Sequence, residues 1–228
     1  NLTVLIWQVR MSFILESGSV KVMNDADVVS KRENSWSFEM FLRKLFKGVI
    51  DPIAKFLLSI GFKPNMITYL GLILTSIAAA LIVKGNITLA GLILLVGAPL
   101  DVVDGSMARQ LGHPSNYGAF IDSVTDRYSE LVLFLGLLIH YVLKGDTLVC
   151  ILVFMAAGGS ILVSYVKARA EAVGYSAKTG ILTRVERLIV MIVCLIFNIP
   201  IVALWIIAVL ANFTALQRIL FVRKQALS

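Results

Sequence analysis

Thiol and imidazole are scarce in this chain. It has two cysteines and two histidines among 228 residues, which leaves no cluster for a thiolate–imidazole metal centre. Cys150 and Cys194 each sit inside an apolar run, where a lone cysteine behaves as a small buried hydrophobe and not as half of a disulfide. His113 has no second His or Cys beside it and reads as an ordinary loop residue. Charge is scarce as well: 15% of residues are charged against 58% hydrophobic, and mean hydropathy is +0.88. That excludes a single soluble core and leaves a polytopic membrane protein. The net charge of +7 is not gathered into one patch, which argues against a nucleic-acid partner. Residues 1–8 lack the basic start and long apolar stretch of a secretory signal. Acid is the scarcest element where it matters most: from Pro52 to Gly145 the only acidic residues are Asp101, Asp104, Asp122, Asp126 and Glu130.

What is present is apolar sequence cut into lengths. Met66–Val83, the run from Gly85 to Leu100, a segment from Ser115 to Val142, Thr147–Val166, and a long uncharged stretch from Leu188 to Gln217 follow one another. A helix rises about 1.5 Å per residue and a bilayer core is about 30 Å thick, so segments near 20 residues suit membrane spans. The last stretch is too long for one span, and Asn198-Ile-Pro200 divides it, since proline ends or kinks a helix. The pattern predicts an all-α fold with six transmembrane helices in residues 63–228. Before them, residues 38–62 read as an amphipathic interfacial helix: Phe38, Met40, Phe41, Leu45, Phe46, Val49 and Ile50 recur at helical spacing among Arg43, Lys44 and Lys47. Residues 1–37 are mixed, strand-like at Thr3–Trp7 and Ser19–Met23 and polar from Asp25 to Ser37. They form a cytoplasmic appendix or the tail of an upstream domain. With the N-terminus inside, every Lys and Arg except Lys84 and Lys144 falls on the inner side, as the positive-inside rule requires. Both termini and the turn bearing the aspartates then face the cytoplasm of a multi-pass cell-membrane protein.

Carboxylates at membrane depth are costly and persist mainly where they bind ions or do chemistry. Asp101 and Asp104 are three residues apart, Asp122 and Asp126 four, so on helices each pair shares a face. Two such pairs facing each other form an oxygen-rich cage suited to a hard divalent cation such as Mg²⁺. Helix capping accounts for at most two of the four. Gly105, Ala108 and Gly118 allow close approach of a ligand, and Arg109 can pair with a phosphate. Together these suit a pyrophosphate ligand, with one carboxylate free to deprotonate an attacking hydroxyl.

The pattern D-x2-D-G-x2-A-R-x8-G-x3-D-x3-D is matched at every fixed position by Asp101, Asp104, Gly105, Ala108, Arg109, Gly118, Asp122 and Asp126. It resembles the CDP-alcohol phosphotransferase family of integral membrane enzymes, over roughly residues 60–225. Pro64-Asn65-Met-Ile-Thr68 is similar to the family's P-N-x-x-T start of the first span. The resemblance implies six helices, a homodimer, two divalent metal ions (Mg²⁺ or Mn²⁺) and a CDP-linked lipid donor. It also implies metal binding by Asp101, Asp104, Asp122 and Asp126, with Asp126 as general base. CDP-binding is implied for Asn65, Thr68, Asp104, Gly105, Ala108, Arg109 and Gly118.

A second group of cations lies on the inner side. Ser164-Tyr-Val-Lys167-Ala-Arg169-Ala-Glu171 and Arg184-Val-Glu186-Arg187 resemble blocks of the inositol-phosphate-using branch, although Val185 stands where that branch has proline. Lys167, Arg169, Arg184, Arg187 and Arg218 are the candidates for holding the acceptor's phosphate. Membrane anchoring is the plainer use of such cations. Arg127 and Glu130 are candidates for an ion pair within the third span. The expected reaction moves a phosphatidyl-type group from a CDP-linked lipid to a phosphorylated polyol, inositol phosphate first and glycerol phosphate as the alternative, with release of CMP. The rival of another class is an intramembrane cation transporter, disfavoured because the acids cluster at one face and none continues toward the other.

Overall fold

The structure, a computed structural model, describes residues 38–112, 115–177 and 179–227, and of residues 38–47 and 49 the backbone alone. The strand-like segments expected at Thr3–Trp7 and Ser19–Met23, and His113, lie outside the described residues. The chain divides into two units between Leu42 and Arg43, and the second unit holds the helix bundle. Among the described residues every regular element is an α-helix: α1 Phe38–Ser59, α2 Pro64–Val83, α3 Ile87–Gly97, α4 Leu100–Gln110, α5 Asn116–Leu143, α6 Thr147–Ala172, α7 Arg184–Ile196 and α8 Pro200–Leu227.

Local chemistry sets the helix ends. At Lys84-Gly85-Asn86 the chain leaves α2 through a left-handed glycine (φ +85°), and Asn86 N–H donates back to Leu81 O at 2.9 Å. This satisfies a carbonyl that the last turn would otherwise leave open. Lys144-Gly145-Asp146 repeats the device after α5, and the Asp146 carboxylate then caps α6 by accepting from Val149 N–H. Asn198 takes φ +57° after α7, a conformation Asn tolerates, and Pro200 opens α8. The division expected at Asn198-Ile-Pro200 is therefore present. The run from Gly85 to Leu100, read as one apolar segment, is broken: its helix stops at Gly97 and a new one starts at Leu100, because Pro99 has no N–H to continue the ladder.

Among the described residues, four helical stretches are long and apolar enough to cross a membrane: Pro64–Val83, Ile87–Gln110, Thr147–Ala172 and Pro200–Leu227. Helix α5 is long but carries Asp122, Asp126, Arg127 and Glu130. Helix α7 has 13 residues, about 20 Å of rise. Packing follows small residues. A Cβ on Gly136 of α5 would lie 2.8 Å from Ala79 O of α2, and one on Gly91 of α3 would lie 2.7 Å from Ile196 N of α7. Both pairs of helices touch where only glycine fits. Helix α8 packs on α6 and α7, α2 on α5, around Ile82, Leu94, Leu137, Leu195 and Leu204. Cys194 is buried and Cys150 half-buried, both as free thiols.

Arg218 of α8 is 4% exposed and donates to two backbone carbonyls, Thr179 O at 2.8 Å and Val163 O at 2.6 Å. It ties the segment between α6 and α7 to the bundle. Arg218→Met should lower the melting temperature in detergent by an amount matching about 3–6 kcal/mol, the size of two lost charge-assisted bonds that leave their acceptors buried.

Candidate active site

The four motif aspartates stand on two helices that meet beside the start of α2. Asp101 and Asp104 project from α4, Asp122 and Asp126 from α5. Their carboxylates are within electrostatic reach of one another: Asp104 interacts with Asp122 and Asp101, and Asp126 with Asp101 and Asp122. Asp104 and Asp126 are buried, while Asp101 and Asp122 are half-buried. The first turns of α2 complete the wall. Thr68 donates its hydroxyl to Asp104 Oδ2 at 2.6 Å, which fixes the carboxylate's rotation. Asn65 Oδ1 lies 3.6 Å from where a Cβ on Gly118 would stand, and Ser115 Oγ, which caps α5 by accepting from Gly118 N–H, lies 3.0 Å from it. A Cβ at 118 would crowd Ser115 Oγ and touch Asn65. Exposed Arg109 reaches back over its own helix, with a guanidinium nitrogen 3.5 Å from the Cβ position of Gly105. The predicted CDP-binding residues Asn65, Thr68, Gly105, Ala108, Arg109 and Gly118 thus lie along α2, α4 and the start of α5, around the aspartates.

The second cation group is only partly gathered here. Arg184, the first residue of α7, places one guanidinium nitrogen 2.6 Å from Asp101 Oδ2 and 2.6 Å from Asp126 Oδ1. Arg187, one turn on and 2% exposed, grips Glu130 of α5 in a two-point ion pair at 2.8 and 3.1 Å and donates to Leu182 O at 3.3 Å. Glu130 therefore pairs across helices and not with Arg127, which donates to Ser123 O and lies 3.5 Å from Asp126 Oδ2. Lys167 and Arg169 are exposed near the end of α6, and Arg218 holds the loop carbonyls described above. The sequence signal for Glu130 was its rarity: it is the one acid from Pro52 to Gly145 outside the motif.

A cleft of about 760 Å³, its open mouth included, runs inward from this cluster. Asp101, Asp126, Glu130, Arg184, Arg187 and Thr68 line its polar part, and Leu72, Leu94, Leu133, Phe134, Met191 and Ile207 its apolar part.

The donor set consists of hard carboxylate oxygens, two on each of two facing helices, which fits Mg²⁺ or Mn²⁺ in chemistry. Among the described residues no three such side chains are gathered as a ready ion site. The guanidinium of Arg184 instead lies between Asp101 and Asp126 and supplies the countercharge. Thr68→Val should weaken Mn²⁺ binding by roughly threefold to tenfold, because Asp104 loses the bond that orients it. Equilibrium titration of Mn²⁺ followed by electron paramagnetic resonance would read this, and an unchanged affinity would show that Asp104 needs no such support.

Residues 62–217 match the profile of the CDP-alcohol phosphatidyltransferase family. The chain belongs to that family. Among its relatives, the archaetidylinositol phosphate synthase of Pyrococcus horikoshii is 34% identical over 185 residues, covering 81% of this chain and 96% of the relative. The phosphatidylinositol phosphate synthase of Streptomyces avermitilis is 36% identical over 203 residues, covering 82% of each. The crystal structure of Mycobacterium tuberculosis phosphatidylinositol phosphate synthase with CDP-DAG bound superposes with a TM-score of 0.72 at 30% identity, covering 76% of this chain and 93% of that one. The same mycobacterial enzyme in complex with manganese and citrate gives a TM-score of 0.71. As a CDP-alcohol phosphatidyltransferase, this chain is a multi-pass membrane transferase of phospholipid biosynthesis, and the rival reading as a cation transporter falls away.

Proposed function

We propose that this enzyme transfers the phosphatidyl-type group of a CDP-linked lipid to the hydroxyl of inositol phosphate, releasing CMP and forming a phosphatidylinositol-phosphate-type lipid. The observation that carries the reading is the convergence of the complete aspartate motif with Arg184 at one cleft mouth. The relatives named above support the choice of acceptor. In the bond exchange the acceptor oxygen attacks the lipid-side phosphorus of the pyrophosphate, the bond from that phosphorus to the bridging oxygen breaks, and CMP leaves with the electron pair.

Each residue has a defined part in this proposal. Asp101, Asp104, Asp122 and Asp126 would hold the divalent ions, Mg²⁺ or Mn²⁺. A bound ion supplies neutralisation of the pyrophosphate oxygens and polarisation of phosphorus. Thr68 orients Asp104. Asn65, Gly105, Ala108, Arg109 and Gly118 form the surface against which the cytidine diphosphate lies, the small residues giving room and Arg109 a phosphate partner. Asp126 takes the acceptor's proton. Of the five cations expected to hold the acceptor's phosphate, Lys167, Arg169 and Arg184 keep that part; Arg187 lines the cleft while paired with Glu130, and Arg218 holds the loop carbonyls. The same proposal includes six spans, with α5 and α7 joining the four helices of sufficient length and apolarity, and a homodimer as the family resemblance implies. It also places α1 as an interfacial helix beginning near residue 38, residues 1–37 as a separate appendix, and both termini and the cleft mouth in the cytoplasm.

The decisive assay supplies purified protein and Mn²⁺ with CDP-diacylglycerol or its archaeal ether counterpart. Inositol phosphate, glycerol phosphate, serine and free inositol are offered in separate reactions, and products are identified by mass. Release of CMP with a phosphorylated inositol lipid as product is expected. Use of glycerol phosphate with refusal of inositol phosphate would overturn the acceptor, and no CMP with any alcohol would overturn the reaction.

A further inference from the structure

We infer that Asp51 of α1 is a positioning residue for the aspartate-bearing helix α4, acting through Ser106 and Gln110. The inference rests on the reading of α4 as the helix that supplies two of the metal-binding carboxylates. Helix α4 has 11 residues. A proline break precedes it, and Leu111 and the left-handed Gly112 (φ +74°) follow it. So short a helix has little intrinsic hold on its own rotation or axial position, yet metal ligands have to be held closely to act. One side carries Asp101, Asp104 and Ala108, and Asp101 lines the cleft. The other carries Val103, Ser106, Met107 and Gln110.

On that second side the polar groups form a closed relay to α1. Ser106, 1% exposed, donates to Asp51 Oδ1 at 2.6 Å. Gln110 Nε2 donates to Asp51 O at 3.0 Å and to Ser106 Oγ at 3.3 Å. Ile50 and Ala54, one residue before and three after Asp51, pack with Val103, Met107 and Ile67 in a small buried cluster. Ile67 adjoins Thr68, whose hydroxyl holds Asp104. Asp51 therefore stands behind both contacts that set Asp104: the seat of α4 itself and the turn of α2 that orients its carboxylate. A charged acceptor for a buried hydroxyl is also among the stronger single hydrogen bonds a helix contact can use.

Asp51→Ala and Ser106→Ala should each lower kcat about tenfold and weaken Mn²⁺ binding several-fold by electron paramagnetic resonance, since a displacement on the order of 1 Å at a reacting group is costly. The Asp51→Ala/Ser106→Ala double variant should be no worse than either single one, because both remove the same link. Asp51→Asn should recover most of the turnover, as its amide oxygen still accepts from Ser106. Melting curves in the same detergent separate positioning from simple loss of fold. If the variants melt lower but the folded fraction keeps wild-type kcat and Mn²⁺ affinity, or if the double variant is additive, the inference is wrong. Should Asp51→Ala fail to fold, the Ser106→Ala and Asp51→Asn pair carries the same test. Inactivity of the wild-type enzyme with every acceptor would instead sink the proposed reaction, and the Mn²⁺ titrations would still report on Asp51.

Discussion

Replacing Asp126 by asparagine should leave a folded protein that binds CDP-lipid and retains measurable Mn²⁺ affinity, yet turns over about 10²- to 10⁴-fold more slowly, the usual worth of a positioned general base. The geometry supports that separation. Asp126 is on α5, with 8% of its side chain exposed, and Oδ1 is 2.6 Å from Arg184. An amide of the same shape keeps an oxygen there to accept from Arg184, so the local packing survives. It cannot take a proton from the acceptor hydroxyl. Asp104→Asn provides the contrast. Asp104 is locked by Thr68, and in the proposal it binds metal and the cytidine diphosphate but takes no proton. Its loss should appear chiefly as weaker Mn²⁺ binding, partly recovered at high metal concentration, whereas excess Mn²⁺ should not restore Asp126→Asn. Near-normal kcat in Asp126→Asn, or its recovery by added metal, would remove Asp126 from the role of base.

Much of this site is local in sequence, and for that reason it was readable. The three- and four-residue spacings place each aspartate pair on one helical face whatever the tertiary packing. The Asn198-Ile-Pro200 divide depends on neighbouring residues alone. The break at Ala98–Pro99 had its signal in Pro99, but the hydropathy of the run masked it. What could not be read is the choice of partner by long cationic side chains. Arg184, Arg187 and Arg218 appear alike as inner-side cations. One meets two motif aspartates, one a glutamate 57 residues away, and one a pair of backbone carbonyls. Those choices follow from how α7 and α8 seat against α5 and α6, which no spacing within a single helix encodes. The Asp51–Ser106 bond, 55 residues apart in the chain, was hidden for the same reason.

The position of Arg184 leads to the other large expected effect. Four carboxylates within mutual reach repel one another, and the guanidinium 2.6 Å from both Asp101 and Asp126 offsets part of that repulsion. A divalent ion drawn to the same oxygens must compete with it. Charge-assisted hydrogen bonds are worth about 1.5–3 kcal/mol each, so removing the competitor should matter. Arg184→Gln should bind Mn²⁺ about tenfold more tightly in the absence of substrates. Without metal it should melt at a lower temperature than wild type, with the gap closing as Mn²⁺ is added. The same variant should raise the KM for inositol phosphate by about 10- to 100-fold, while the KM for CDP-lipid changes far less, since the proposal gives the freed guanidinium to the acceptor's phosphate. Arg184→Lys provides the control: it keeps the positive charge but not the longer guanidinium arm that places one nitrogen against both carboxylates, so its Mn²⁺ affinity should fall between the two. Unchanged or weaker Mn²⁺ binding in Arg184→Gln would show that the guanidinium supports the ion instead of standing in its place, and the acceptor KM would then decide whether it has any second role.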